Sequence, residues 1–402
     1  MKELNKINNP LQRMVNWMWK EYRTIATSYA IILVLLGGIF VYGLLYNYMY
    51  QPNVVRDTPL AVVDNSKTVM SRDFIRMLDA TPQVKVLTDG VDFAGAKELM
   101  KKKSVVGILL IQDKFEKKIE QGEEAMTLMY ETTIAFLYYL AMQKAASFAM
   151  QNFNDQIRPD QLVFLPSGDA PVMAQAQSPI SVIGTALYNY TEGYGTYLIP
   201  AVLMIIIFQT LMMVIAMISG NERHTGTILD YAEASRTFWG MSVVVFAKTM
   251  VYVLLYALFS IFLLGLMPLV FDLPDIGNTL VIIQLMIPYL LATSFMGLAA
   301  SVFYTDQDAP LLMIAFFSVG LVFLSGVSYP LELMPWYWRA AHFIFPAAPA
   351  TLAFVKVNSM GAGIPEITIE YTTLWIQCII YFVLACQAYR YNIRKAQIQR
   401  LG

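Results

Sequence analysis

Six apolar stretches punctuate the sequence, each near the ~20 residues that a helix rising about 1.5 Å per residue needs to cross a bilayer core. They cover residues 27–48, 194–219, 249–268, 279–303, 309–328 and 371–389, and Pro288 sits within the fourth. Ahead of the first, Leu11, Met14, Val15, Met18, Trp19 and Tyr22 recur at helical spacing, while Gln12, Arg13, Asn16, Lys20 and Arg23 fall largely on the other side. This pattern predicts an amphipathic helix lying in the membrane interface within residues 1–26. The alternative is a plain helical extension of the first span. No small-x-small cleavage site follows the first stretch, and the lead-in is long, so a cleaved signal peptide is not expected.

Residues 49–193 have a different pattern, that of a water-soluble α/β domain inserted between the first two spans. Strands are predicted at 59–63, 84–87, 105–111 and 126–130, with helices at 68–80, from the capping Asp92 through 103, at 114–121 and at 134–157. The run Val-Val-Gly-Ile-Leu-Leu-Ile at 105–111 has the near-continuous apolar character of a strand covered on both faces. Pro166, Pro171 and Pro179 argue for extended backbone over 169–177 and 179–190 on the return to the second span.

Composition agrees with a membrane chain. Hydrophobic residues make up 57% and charged residues 14%, against roughly 45–50% and about 25% in soluble domains, and mean hydropathy is +0.51. A lone soluble enzyme is thereby disfavoured. With 28 basic and 29 acidic residues there is no basic field to hold nucleic acid. Cys378 and Cys386 share one apolar run, which excludes a disulfide scaffold and a four-cysteine zinc site.

Charge also sets the orientation. Lys2, Lys6, Arg13, Lys20, Arg23, Arg223, Arg236, Lys248, Arg390, Arg394, Lys395 and Arg400 all fall on one side of a six-span chain, against Arg339 and Lys356 in the short loops opposite. The positive-inside rule then puts both termini, the 220–248 loop and the 390–402 tail in the cytoplasm, and residues 49–193 outside.

Catalytic signatures are not expected. The nearest approach to a phosphate-cradling Walker loop, Gly240 with Lys248 and Thr249, has the wrong spacing and no second glycine. His224 and His342 stand far apart without cysteine or histidine neighbours, so no zinc site is expected. No catalytic, cofactor-binding or metal-binding residue is assigned, and the chain is not expected to hydrolyse ATP. Gln209, Gln284 and Gln377 are the polar groups within the spans, suited to interhelical hydrogen bonds or to lining a path. Lys248 is expected to snorkel to the cytoplasmic surface. So little charge within the spans argues against an ion-coupled transporter.

The polar segment Gly220-Asn-Glu-Arg-His-Thr-Gly-Thr-Ile-Leu-Asp230 is either a solvated loop that enforces topology or the start of a short amphipathic helix that a soluble partner could grip. Within it, Glu222-Arg223-His224-Thr225-Gly226-Thr227 resembles the Glu-Arg-acidic-x-Gly-Thr signature of type-2 ABC exporter permeases, with His224 in place of the usual acid. Ser325-Gly326-Val-Ser-Tyr329-Pro330, then Met334-Pro335-Trp336 and Phe345-Pro346-Ala-Ala-Pro349, resemble that family's outer re-entrant hairpin, here residues 329–370. Gln307-Asp308-Ala309 is similar to the stretch before its fifth span, whereas Tyr130-Glu131 replaces the commoner Asp-Gly of its outer domain.

The resemblance, in which the spacing of spans is similar to the drug-export subgroup, implies a six-span α-helical polytopic membrane protein with an inserted α/β extracytoplasmic domain. It implies a permease subunit in the cytoplasmic (inner) membrane of a bacterium, exporting an amphipathic or lipid-like substrate: a drug-like compound, a lipid or an envelope component. Energy would come from a separate ABC ATPase carrying ATP and Mg. The coupling residues would be 222–227. The outer gate would comprise Ser325, Gly326, Tyr329, Pro330, Met334, Pro335, Trp336 and Pro346. The second and fifth spans of two copies, or of this chain and a similar paralogue, would enclose the path, with Gln209 and Ser318 as candidate lining residues. A periplasmic adaptor is a compatible further partner. The competing reading is a membrane-anchored sensor or envelope-assembly protein whose outer domain binds a ligand without transport.

Overall fold

The amphipathic helix of the N-terminal region is a separate element in the computed structural model, which describes residues 10–50, 54–88, 91–121, 123, 125–131, 136–163, 193–273, 275–304 and 309–401. Helix α1 (Pro10–Thr27) ends at Ser28, whose extended backbone breaks the chain direction before α2 (Tyr29–Met49). Leu11, Val15, Trp19 and Tyr22 form an exposed apolar stripe, while Glu21 and Ile25 turn inward. That arrangement suits a helix lying on a lipid surface with one flank against protein.

Contacts divide the chain into two units, Val54–Thr185 and the rest. The first has β1 (Thr58–Asp64), α3 (Val69–Asp79), β2 (Val84–Thr88), α4 (Phe93–Lys101), β3 (Gly107–Ile111), α5 (Phe115–Glu120), β4 (Thr127–Glu131) and α6 (Phe136–Val163). Every strand and helix predicted at 59–157 is present, with shifted ends. The sheet order is β2-β1-β3-β4, with β1 parallel to both neighbours and β4 antiparallel to β3. Alternation along β1 sends Leu60 and Val62 to a core with Phe74, Phe115 and Phe153, and Ala61 and Val63 to a smaller one with Ala96 and Ile108. Thr68 caps α3 reciprocally with Ser71, and Asp92 accepts from the Gly95 amide to start α4. The 169–177 and 179–190 segments lie outside the described residues, as do Lys2, Lys6, Gln307 and Asp308.

The second unit is a helical bundle of α1, α2, α7 (Tyr194–His224), α8 (Phe238–Val270), α9 (Thr279–Ala299), α10 (Ala309–Leu324), α11 (Trp336–His342), α12 (Ala347–Met360) and α13 (Thr368–Leu401). Helix α7 is its axis: 83% of its most apolar window is buried within this one chain, against 22–56% for the other long apolar helices. Among the described residues, five helices are long and apolar enough to cross a membrane, and the bent pair α11–α12 would be a sixth by the same measure. The chain is therefore a multi-pass membrane protein.

Several boundaries depart from the sequence reading. Helix α8 starts at Phe238, not at 249, because Thr237 is extended and its hydroxyl accepts the Gly240 amide at 3.0 Å. Helix α10 stops at Leu324 instead of 328, since Gly326 takes φ +82, a conformation that side chains disfavour. Its 16 residues reach about 24 Å, short of a bilayer core of about 30 Å. The segment after α7 forms two tight 3₁₀ turns, Thr227–Tyr231 and Ala234–Arg236, and not the start of an amphipathic α-helix.

Candidate functional site

The turn between α7 and α8 carries the segment singled out in the sequence, and its chemistry is set by one buried ion-pair cluster. Lys248 is completely buried on α8, with its Nζ 2.5 Å from Glu21 Oε2 on α1 and 2.8 Å from Glu222 Oε1 near the end of α7. Lys248 therefore does not snorkel. With α8 beginning at Phe238, it lies about 15 Å along a helix and points into protein. Buried charge is present after all, near a helix junction.

Every carboxylate oxygen in the cluster is satisfied. Tyr252 donates to Glu21 Oε1, Tyr231 to Glu222 Oε1 at 3.3 Å, and Tyr389 of α13 to Glu222 Oε2 at 3.4 Å. The Lys248 ammonium also lies 5.4 Å from the Tyr231 ring centre and 5.7 Å from that of Tyr389. Burial pushes the Tyr231 hydroxyl well above its ordinary pKa, so it remains a neutral donor. Two carboxylates share one ammonium, and hydroxyl dipoles stabilise the remaining charge. Such a cluster contributes little net stability against an apolar replacement, but losing one member is costly.

Glu222 is thus only 5% exposed, and its carboxylate is committed to the interior, although the resemblance counts it among the coupling residues. Arg223 is committed too: its Nη1 donates to the carbonyl oxygens of Ser301, Val302 and Tyr304 at 3.0–3.2 Å, closing the free end of α9. His224 and Thr225 remain exposed. Gly226 takes φ +72 and permits the turn into Thr227–Tyr231, and the Thr225 and Thr227 hydroxyls meet at 3.0 Å.

Above the cluster, a groove of about 700 Å³ opens between α1 and the 3₁₀ turns, lined by Arg13, Trp17, Lys20, Arg23, Asp230 and Glu233 among others. Lys20 bridges it, pairing with Asp230 at 2.8 Å and lying 4.8 Å from the Tyr231 ring centre. Tyr231 is thereby the floor of the groove and the roof of the cluster.

At the other candidate site, Ser325 is buried and its hydroxyl donates to the Val322 carbonyl at 2.6 Å, while a Cβ at Gly326 would lie 2.8 Å from Leu331. Tyr329 and Trp336 are exposed. Pro330, Pro335 and Pro346 each precede a helical turn, with Met334 extended between the first two. Helices α11 and α12 meet at 82°. Three side chains fix this bend: buried His342 contacts the Leu324 carbonyl through Nδ1 at 2.7 Å, Gln377 donates to the Phe343 carbonyl at 2.8 Å, and Tyr381 donates to that of Ile344. Of the other polar span residues, Gln209 is half-buried, Gln284 is exposed, and the Ser318 hydroxyl donates to Ala315 one turn back at 2.7 Å.

Glu21 was missed by sequence reasoning, although a signal existed. Met14, Met18, Glu21 and Ile25 share one helical stripe, and on α8 Met241, Val244, Lys248 and Tyr252 do the same. A charge of opposite sign in each of two apolar stripes is the pattern of a buried pair.

Among curated proteins no relative matches the sequence. A solved structure of a domain assigned to an ABC type-2 transporter of Thermotoga maritima is 16% identical, with a TM-score of 0.21, over 31% of this chain and 82% of that one. The family model described as "ABC-2 family transporter protein" matches residues 29–386, most of the sequence. The family is a membrane transport component that works with an ABC ATPase subunit. The chain belongs to the ABC-2 family of transporter proteins.

Proposed function

We propose that this permease is an exporter subunit whose α7–α8 turn receives the ATPase, with the Glu21–Lys248–Glu222 cluster as the rigid base of the docking surface. The observation that carries the reading is the cluster itself. It joins α1, α7, α8 and, through Tyr389, α13, directly beneath a groove rimmed by charge. A push on the 3₁₀ turns from outside the bundle reaches its central helix through Tyr231 and Glu222. Direct docking contacts fall to exposed His224, Thr225, Asp230, Glu233 and Arg236, and Glu222 and Arg223 hold the surface in shape.

The rest of the assembly follows the same reading. On the positive-inside rule, the basic loops support a cytoplasmic position for this end and both termini, with residues 49–193 outside the inner membrane. Six crossings result when α10 spans with its following turn and α11–α12 dips back as an outer hairpin, its exposed Trp336, Tyr337 and Trp338 at the interface. A second copy or a paralogue packs on the exposed Phe317, Val319 and Phe323 of α10. The path runs beside Gln209 and Ser318, and its apolar walls suit an amphipathic substrate. ATP and Mg reside on the partner.

A photo-cross-linker at Glu233 or His224, in cells co-expressing the ABC ATPase, tests the docking surface. Adducts to the ATPase from these positions, and none from Lys101 in the α/β unit, are expected. Adducts from Lys101 alone would refute the reading.

A further inference from the structure

Helix α1 has three faces. Glu21 and Ile25 turn into the bundle, and Leu11, Val15, Trp19 and Tyr22 form the exposed apolar stripe. On the third, Asn16, Lys20, Arg23 and Thr27 follow one another at helical spacing and line the groove of about 700 Å³ above the buried cluster. Trp19 belongs to two of these faces. It is 64% exposed in the apolar stripe, stacks on Tyr22 with ring centres 5.6 Å apart, and lines the groove as well. The groove is therefore continuous, at Trp19, with the surface that α1 lays on lipid, at the level of the headgroups. Its volume falls within the range of sites for small ligands.

The charges of the groove are sorted by wall. Its bases all belong to α1, and its acids, Asp230 and Glu233, to the 3₁₀ turns. Lys20 holds Asp230 at 2.8 Å, yet its side chain is 34% exposed and its ammonium has N–H groups beyond the one that Asp230 takes. Arg23, one turn along α1, is exposed and has no acidic partner among the described residues. Both cationic groups can thus be reached from the groove, and with Asp230 neutralising Lys20 one positive charge is left between them. That matches one phosphodiester. A guanidinium presents paired N–H groups to the two non-bridging oxygens of such a group. Glu233 on the facing wall disfavours an anion of higher charge, such as a phosphomonoester.

We infer that this groove holds the headgroup of a membrane phospholipid, its phosphodiester between Arg23 and Lys20 and its acyl chains passing Trp19 and Tyr22 into the bilayer. The site needs only this chain and lipid, so it stands or falls apart from ATPase docking. Its occupant would bear on the buried cluster, because the Lys20 ammonium that it contacts lies 4.8 Å from the centre of the Tyr231 ring, the roof of that cluster.

The test uses the full chain in non-ionic detergent micelles with two photoreactive probes, a phosphatidylglycerol and a diacylglycerol that carry the same diazirine acyl chain. Labelled residues are located by mass spectrometry, and labelling is normalised to the exposed face of α13 around Ile376, Ile379 and Val383. Phosphatidylglycerol should label residues 16–27 and 229–234 about fivefold more than diacylglycerol, the factor that one basic residue supplies at a lipid surface. Arg23→Gln should abolish that preference while labelling of α13 persists. Arg394→Gln removes an exposed arginine outside the groove and should leave the preference intact. Equal normalised labelling by the two probes in the unaltered protein would overturn the proposal and leave the groove to an acidic protein segment. So would a preference that survives Arg23→Gln. An equal loss in Arg394→Gln would overturn it too, since the preference would then reflect surface charge at large.

Discussion

Lys101 and Lys248 each pair with a glutamate at nearly the same distance, 2.6 Å to Glu98 and 2.8 Å to Glu222, and the two pairs do different things. On α4 both side chains are more than half exposed and lie one turn apart, so water and salt compete with the contact. In the helical bundle the lysine is wholly buried, and its two partners lie 227 and 26 residues away along the chain. The first pair decorates a helix that would form without it. The second determines which helices can lie together, because burial keeps bulk solvent from taking over a lost partner. Identical chemistry is thus ornamental in one unit and architectural in the other, and the difference is solvent.

Removing the charge that both carboxylates share should therefore have the largest effect. Lys248→Met leaves Glu21 and Glu222 buried side by side, and a loss of about 3–5 kcal/mol is expected, read as a collapse in folded yield and thermal midpoint in detergent. Adding Glu21→Gln and Glu222→Gln to that variant should recover most of the loss, since the interior then holds no unpaired charge. If the triple variant is no better than the single, lysine acts there through shape and not through charge.

Glu21→Gln alone is milder, because Lys248 keeps Glu222. The expected cost is about 1.5–3 kcal/mol, concentrated in α1, so protease cleavage near residues 20–28 should quicken while the bundle's own melting changes less. Uniform destabilisation of the whole bundle would show that α1 is an integral strut. The half-exposed Lys20–Asp230 pair lies between the extremes. Asp230→Asn should cost about 0.2–1 kcal/mol at low salt and nearly nothing at high salt, a dependence absent from the buried cluster. Lys101→Ala should fall within about 0.5 kcal/mol of the unaltered protein, measured by thermal melting of the full chain.

The same contrast explains what the sequence makes legible. The strands of the α/β unit can be read because side-chain alternation is local: Leu60 and Val62 against Ala61 and Val63 declare two covered faces without knowledge of what covers them. Apolar spans are legible for the same reason. Glu21 and Lys248 look like ordinary interfacial charges, because their meaning lies in a contact across 227 residues that neither local window contains. The Glu222-Arg223 motif is visible, but motif spacing gives no direction, and both side chains point into the bundle. Boundaries fail where a single residue ends a helix against the hydropathy trend, as Gly326 does after Leu324 and Thr237 does before Phe238.

The proposed link between docked ATPase and bundle runs through the buried cluster, and permease-dependent ATP hydrolysis reads it out. The measurement compares Glu21→Gln and Lys101→Ala permeases, each reconstituted with the ABC ATPase and matched for bound ATPase. Lys101→Ala should retain the full stimulation, and Glu21→Gln should lose most of it while α1 stays in the membrane and the Glu233 cross-link persists. Equal stimulation by the two variants would show that the cluster carries no such link.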